Sequence, residues 1–157
     1  MATDTLRTLE QRAWEGFLRA HDRLWRALQD GLASVDVSMA EYSVLALLSA
    51  AGSEGMRMAD LAEQRLMSTG GFTRLADRLE HRGLIERKRS AVDGRGFDAI
   101  LTRDGRALLR RARRQHYSDL RRLFFNRLDD DQLHSLVDVW ISLDPSSEPE
   151  RARHEDD

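Results

Sequence analysis

Apolar residues recur every three to four positions between about Thr5 and Ala33, a stretch that contains no proline. This spacing places them on one face of a single long amphipathic helix. The face comprises Leu6, Leu9, Ala13, Phe17, Leu24, Leu28 and Leu32, and it is widened by Trp14, Leu18, His21 and Trp25. Because this apolar face is wider than the contact with a single neighbouring helix, we expect the helix to pack against more than one neighbour.

Two shorter helices are predicted next. Ser38 begins the first, with Glu41 at the capping-box spacing, and Gly52 and Gly55 end it. Residues 59–66 form two further helical turns, whose leucines can pack against the helix that follows. The order helix, turn, helix is therefore expected.

The next helix has an apolar and a polar face. Ser68 is a candidate N-cap, and Gly83 stops the helix. Its inward positions are Phe72, Leu75, Ala76 and Leu79, and its outward positions are Thr69, Thr73, Arg74, Asp77 and Arg78. This pattern is typical of a DNA-recognition helix.

Strand-like alternation replaces the helical spacing after Gly83. Residues 85–90 alternate between two faces, residues 97–101 form a returning strand, and Asp93 to Gly96 make the connecting turn. The pattern predicts a small basic β-hairpin wing. Glycines flank Arg95, so a mobile tip can carry this arginine into a groove.

Two more helices complete the ordered chain. Thr102 is the expected N-cap of a long helix reaching about Arg127, and Asp129 caps a final helix ending near Leu143. We therefore expect one domain over residues 1–143. Residues 144–157 carry dense charge and no large apolar side chain, which predicts a disordered acidic tail.

Composition narrows the class of protein. A chain of 157 residues with 41% hydrophobic and 33% charged content suits one soluble domain. The absence of cysteine removes disulfides and thiol chemistry. No apolar signal region opens the chain, and the longest strongly apolar run, residues 44–48, cannot span a bilayer, so a cytoplasmic location is expected.

Charge is unevenly distributed, although the net charge is only −2. Between Arg65 and Arg95, seven arginines and Lys88 stand against four carboxylates, a local charge of +4. The tail carries two arginines against six carboxylates, or −4. Charge runs are more often simply solvated, but the adjoining wing pattern here favours a phosphate-binding segment.

Catalytic and metal-binding patterns are missing from the sequence. We find no nucleophile elbow, no phosphate-binding glycine loop and no paired carboxylates framed by apolar residues, so no enzyme and no cofactor are expected. The five histidines lack metal-ligand spacing. No metal site is expected.

The chain resembles the MarR family of winged helix-turn-helix transcription regulators over roughly residues 6–143. The likeness is carried by Asp77-Arg78-Leu79-Glu80, Gly83-Leu84, Asp93, Arg95, Ala99, Leu101, Thr102 and Gly105. Gly94 and Ala99 depart from the usual arginine and branched aliphatic residue. The resemblance implies a mainly α fold with a small β-hairpin wing. In it, a winged helix-turn-helix lobe (residues 38–101) is flanked by long dimerisation helices (residues 5–34 and 102–143).

The resemblance also implies a DNA-binding role for named residues. Candidates for base contact are Thr69, Gly70, Thr73 and Arg74, and candidates for phosphate contact are Arg87, Lys88 and Arg89. Arg95 is expected to enter the minor groove. Arg78 either contacts DNA or pairs with the wing aspartate Asp93, and we favour the pair because a DNA-facing carboxylate needs a cation.

Family membership would further imply a homodimer, with interlocking first and last helices, on an inverted repeat of double-stranded DNA. A small aromatic or anionic effector would release the repressor from its operator. Its cleft could be built from Trp14, Phe17, His21, Tyr42 and His116, although ordinary core packing is favoured for Trp14, His21 and Tyr42. Core packing is expected outright for Trp25, Phe124, Phe125 and Trp140. The alternative function is a winged-helix module for protein contact without an effector.

Overall fold

The computed structural model describes residues 6–65, 69–89 and 96–144, which are mostly helical and include one small sheet. The mainly α fold with a β wing is therefore confirmed. The elements in chain order are α1 (Thr8–Ala33), α2 (Met39–Ala50), β1 (Met56–Arg57), α3 (Met58–Gln64), α4 (Thr69–His81), β2 (Ile85–Arg89), β3 (Phe97–Leu101), α5 (Arg103–Leu123), a 3-10 turn (Phe125–Arg127) and α6 (Asp130–Leu143).

Three predicted helix caps are confirmed. The Ser38 hydroxyl accepts from the Glu41 amide at 3.2 Å, and the Glu41 carboxylate accepts in return from the Ser38 amide at 2.9 Å. The Thr102 hydroxyl accepts from the Gly105 amide at 2.9 Å, and Asp129 accepts from the Gln132 amide at 2.8 Å. Such a cap stabilises a helix by about 1 kcal/mol, because it satisfies a backbone donor that the helix leaves free.

Gly83 ends α4 as predicted. Its φ of 68° lies in the left-handed region, which glycine enters without a steric penalty. The Gly83 amide then donates to the Glu80 carbonyl at 2.8 Å, and the Leu84 amide donates to the Leu79 carbonyl at 2.9 Å. The chain thus turns directly from α4 into β2.

The sheet has three antiparallel strands in the order β1, β3, β2. The predicted hairpin pairs Ile85 with Leu101 and Arg89 with Phe97. A third strand, β1, pairs Met56 with Ala99 and was not expected, because two residues are too few to show alternation. A Cβ on Gly55 would lie 2.2 Å from the Ala99 carbonyl oxygen, so glycine permits this close pairing.

Two helix boundaries differ from expectation. Helix α5 ends at Leu123 rather than near Arg127, because Phe124 leaves the helical region with φ −127° and ψ −70° before the 3-10 turn. Helix α3 begins at Met58 and ends at Gln64 instead of spanning residues 59–66. The candidate cap Ser68 and the acidic tail beyond residue 144 lie outside the described residues.

The described part of the chain forms two compact units, which divide between Asp119 and Leu120. A hydrophobic core lies in the first unit and joins α2, α3, α4, the sheet and α5. Its fully buried large side chains are Leu32, Val44, Leu45, Leu48, Leu61, Leu75, Leu79, Leu101 and Leu109. The boundary of a single domain at residue 143 stays a prediction.

Most of the apolar face of α1 is exposed in the single chain. Leu32 is the buried residue of this helix, whereas Leu9 is 72% and Trp14 55% exposed. The expectation of core packing is wrong for Trp14, His21, Trp25, Phe125 and Trp140, all of which are exposed. In α1, the reason is that only the last turn, which carries Leu32, reaches the hydrophobic core.

Within the part of the chain that the structure describes, no helix has both the length and the apolar character needed to cross a membrane.

Candidate nucleic-acid interface

Helix α4 divides into a buried and an exposed face, as the sequence predicts. Phe72, Leu75, Ala76 and Leu79 are at most 2% exposed. Gly70, Thr73, Arg74, Asp77 and Arg78 are all exposed. The core thus holds one side of α4 rigidly and presents the other to solvent. The side chain of Thr69 lies outside the described residues.

Gly70 sits in the first turn of α4 with open space beside it. A Cβ built at this position would meet no atom within 4 Å, and its backbone does not need positive φ. Packing inside the chain therefore does not require glycine here. The open space leaves Gly70 accessible from outside the chain, and its base contact stays a prediction.

Strand β2 places three consecutive cations beside α4, and they differ in their surroundings. Lys88 and Arg89 are exposed, and the Lys88 Nζ atom lies 3.8 Å from the Glu86 carboxylate. Exposed ion pairs at that distance contribute little energy. Both cations are consequently accessible to phosphate.

Arg87 is instead held against α4. Its Nη2 atom donates to Asp77 at 2.5 Å, and its amide donates to Glu80 at 3.2 Å. The Nε atom lies 3.4 Å from Glu80, an ion-pair distance without hydrogen-bond geometry, and only 20% of the side chain is exposed. Arg87 thus joins the wing to the recognition helix, and its contact with phosphate stays a prediction.

Two predicted wing residues, Asp93 and Arg95, lie outside the described residues. The pairing of Arg78 with Asp93 and the entry of Arg95 into the minor groove therefore stay predictions. Arg78 itself is exposed on α4, at the outer face that also carries Arg74.

Sequence reasoning missed an ionic cluster at the other end of α4. Arg82 donates to Glu41 at 3.1 Å and to Asp36 at 2.8 Å. These partners are 41 and 46 residues away in the chain, and no local spacing rule links such positions. The one sequence signal was Glu41, which the capping box already explained.

The five candidate effector residues fall into two described groups. Trp14, Phe17 and His21 form a series along α1, with ring centroids 5.7 and 6.1 Å apart. Tyr42 of α2 and His116 of α5 lie 4.8 Å apart. The structure thus brings Tyr42 and His116 together, while the other three residues lie on the exposed face of α1.

Burial alters the proton affinity of the second group. It raises the pKa of the Tyr42 phenol, an effect that Tyr117 strengthens and Arg113 opposes. It lowers the pKa of His116, and Asp119 opposes this shift. The His116 Nδ1 atom is buried without a hydrogen-bond partner among the described residues. Both side chains are therefore favoured in their neutral forms.

No cluster of three or more histidine and carboxylate side chains that could hold a metal ion occurs within residues 6–65, 69–89 and 96–144.

Comparison with known proteins identifies the family to which this chain is similar. A sequence model described as MarR family matches residues 35–96. The crystal structure of AbsC, a MarR family transcriptional regulator from Streptomyces coelicolor, is 32% identical with a TM-score of 0.81. The match covers 93% of this chain and 97% of AbsC.

Two further solved structures are similar. Sco3205, a MarR family transcriptional regulator from the same organism in complex with DNA, is 27% identical with a TM-score of 0.83, over 95% of this chain and 94% of Sco3205. CouR from Rhodococcus jostii RHA1, bound to p-coumaroyl-CoA, is 26% identical with a TM-score of 0.68, over 82% and 90% of the two chains. With its exposed α4 face beside a basic hairpin, the chain belongs to the MarR family of winged helix-turn-helix, DNA-binding transcriptional regulators.

Proposed function

We propose that the protein is a sequence-specific repressor that binds an inverted repeat of double-stranded DNA as a homodimer. The observation that carries the proposal is the exposed polar face of α4 beside the cations of β2. An α-helix is narrow enough to enter the major groove of DNA, and cations beside it can bind the phosphates. The complex of Sco3205 with DNA supports the same use of the fold.

Within this proposal, the first turns of α4 contact base edges. Arg74 is suited to guanine, because a guanidinium can donate two parallel hydrogen bonds to the guanine O6 and N7 atoms. Gly70 and Thr73 are exposed on α4 beside Arg74, and we propose that Thr69 contacts bases together with them. Lys88 and Arg89 contact phosphates, and Arg95 enters the minor groove.

The homodimer is supported by apolar surface that the single chain leaves exposed. On α1 and just before it, the exposed large side chains are Leu6, Leu9, Trp14, Phe17, Leu18 and Trp25. On α6 they are Val137, Val139, Trp140 and Leu143. Large exposed apolar side chains such as these, on α1 and separately on α6, indicate association sites, and a second copy of the chain is the occupant we propose.

Release by an effector is the second part of the proposal. CouR was solved with p-coumaroyl-CoA, an aromatic and anionic molecule, which supports a ligand of that chemistry for this chain. Tyr42 and His116 offer a pair of neutral rings on α2 and α5 for its aromatic part, and Trp14, Phe17 and His21 offer further rings on α1. Such a ligand would act by favouring a conformation that binds DNA weakly.

Fluorescence anisotropy on the DNA upstream of the protein's own gene tests the proposal. We expect sequence-dependent binding whose affinity falls steeply with salt, as counterion release requires. Weak binding without sequence preference would instead support a module for protein contact. Addition of aromatic acids and their CoA thioesters to the complex then tests release, and no change with any of them would contradict the effector step.

A further inference from the structure

Arg82 occupies the junction between the recognition helix and the wing. It follows the last residue of α4, His81, and precedes Gly83. Its side chain reaches the segment between α1 and α2, residues 34–38, which we call the corner. There Nη1 donates to Glu41 at 3.1 Å, and Nη2 donates to both the carboxylate and the carbonyl of Asp36, at 2.8 and 2.7 Å.

Asp36 gives the corner an uncommon backbone. Its φ of 63° is in the left-handed region, where non-glycine residues cost roughly 1 kcal/mol or more. Backbone hydrogen bonds from Asp36 to Ala33 at 3.0 Å and from Val37 to Leu32 at 3.2 Å close the turn. Because Arg82 binds the side chain and the carbonyl of Asp36 together, it recognises this particular backbone conformation.

Glu41 connects the same arginine to the start of α2. One carboxylate oxygen accepts from the amide and hydroxyl of Ser38, each at 2.9 Å, and the other accepts from Arg82. Burial alone would raise the pKa of Glu41, but the Ser38 hydrogen bonds and Arg82 hold it below its ordinary value. The carboxylate is therefore charged at neutral pH, with only 10% of the side chain exposed.

The corner is firmly attached to the rest of the first unit. Leu32 and Val37, on either side of it, are 0% and 2% exposed and belong to the hydrophobic core. Movement of α4 relative to α1 would have to break the Arg82 contacts or deform this packing. Arg82 thus lies where the orientation of the recognition helix relative to α1 can be controlled.

We propose that Arg82 is a positioning residue that locks α4 to the corner between α1 and α2 and so sets the half-site spacing accepted by the dimer. The inference rests on the proposed function, because α1 must belong to the part of the dimer shared by the two copies. Successive base pairs are about 3.4 Å apart, so a small change in the orientation of α4 alters the preferred spacing. No contact between Arg82 and DNA is involved.

The proposal separates Arg82 from the phosphate-binding cations. Its charge is already paired with two carboxylates, so it neutralises no phosphate, and the salt dependence of binding should not change when it is replaced. Spacing preference should change instead. This combination distinguishes a positioning residue from a direct DNA contact.

The binding experiment compares wild type, Arg82→Gln and the control Arg110→Gln, which removes an equal charge from an exposed position of α5. The duplexes are an inverted repeat selected by the wild type from random DNA and versions with one base pair added or removed between the half-sites. For Arg82→Gln we expect about tenfold weaker binding to the selected repeat, the equivalent of about 1.4 kcal/mol. The three spacings should differ less than in wild type, with an unchanged salt slope. The control should match wild type.

Equal loss on all three spacings, a reduced salt slope, or no loss at all would overturn the inference. Failure of the wild type to select any inverted repeat would instead refute the proposed function, and the inference would fall with it. The selection step reveals that outcome before any variant is compared.

Amide hydrogen exchange on the free protein provides a readout independent of DNA. Arg82→Gln should accelerate exchange at the Val37 amide of the corner and at the Leu84 amide after α4, and Asp36→Asn should accelerate the same pair. Amides of the core strand β3 should exchange as in wild type. Faster exchange throughout would indicate general destabilisation, and faster exchange at only one of the two ends would show that Arg82 does not lock them together; either result contradicts the inference.

Discussion

Arg74 and Lys88 are both exposed cations of the interface, but their positions predict different effects on DNA binding. Arg74→Ala removes the proposed base contact, so we expect a loss of about 1–3 kcal/mol on the preferred operator and reduced discrimination at one base pair. Lys88→Gln removes the proposed phosphate contact, so affinity should fall on every duplex and the salt slope should decrease by about 1. Anisotropy titrations on matched and single-mismatch operators at several salt concentrations measure both effects.

The two variants serve as controls for each other. A loss of sequence discrimination in Lys88→Gln, with none in Arg74→Ala, would reverse the assignment of these residues. A uniform loss in both would place Arg74 among the phosphate contacts.

His116 predicts how stability depends on pH. Burial lowers its pKa in the folded protein, with Asp119 opposing, so the unfolded chain binds the proton more readily. The stability that this group contributes is present above the unfolded pKa of about 6.5 and is lost as pH falls toward the lower folded value. Unfolding free energies measured between about pH 5 and 7.5 should therefore decrease toward acid.

His116→Phe keeps a ring beside Tyr42 and removes the titration. We expect a shallower decrease in stability over the same pH range than in wild type, measured at one protein concentration because association also contributes. An identical slope in the two proteins would show that His116 does not cause the acid sensitivity.

At the scale of elements, the close approach of α1 and α5 depends on a glycine. A Cβ on Gly31 would lie 2.0 Å from the Oδ2 atom of Asp119, which is only 4% exposed. Asp119 also accepts from Gln115 at 2.9 Å, so it cannot move away without losing that bond. Gly31→Ala should therefore destabilise the protein by roughly 1–3 kcal/mol, even though alanine is the better helix former.

Gly16→Ala is the matched control, since a Cβ there meets nothing within 4 Å. It should leave stability unchanged or raise it by up to about 1 kcal/mol through helix propensity. Urea denaturation of both variants makes the comparison. Equal stability of the Gly31 and Gly16 variants would mean that α1 and α5 separate easily at this point.

The elements that could be predicted from sequence are those encoded locally. Three helices are capped because Ser38, Thr102 and Asp129 each carry a side-chain oxygen that accepts from the amide three residues later. Helix α4 stops because the backbone of Gly83 takes up a left-handed conformation. The faces of α4 follow from spacing alone. The exposed face of α4 was therefore visible in the sequence, and its contact with bases stays a prediction.

Features that depend on distant residues were not predictable. Strand β1 is two residues long and exists because β3 offers an edge. Arg87 was expected to be free for phosphate, but the fold sets it beside Asp77 and Glu80. Nothing near Arg82 in the sequence indicates that it binds Asp36. The sequence shows how many charged residues there are and how they are spaced, but only the fold shows which of them form ion pairs.

At the scale of the whole molecule, the exposed apolar side chains of α1 lead us to predict that a second copy of the chain covers them. Trp14 and Trp25 are 55% and 43% exposed, and burying large aromatic side chains of this kind is a major source of binding energy at protein interfaces. The double variant Trp14→Glu with Trp25→Glu puts two charges on that surface. If a second copy covers it, the charges would have to be desolvated without a partner, which costs several kcal/mol.

We therefore expect the wild type to sediment as a dimer and the double variant to shift toward the monomer at micromolar concentration. In the proposed function the dimer holds two recognition helices together on the operator, so the variant should also lose most of its affinity for an inverted repeat while keeping weak, salt-sensitive binding. Phe97→Ser is the control: it removes an aromatic residue that is 49% exposed on β3, so the mass should stay that of a dimer. A wild-type monomer, or a double variant that remains dimeric with full operator affinity, would show that this face of α1 does not join two copies.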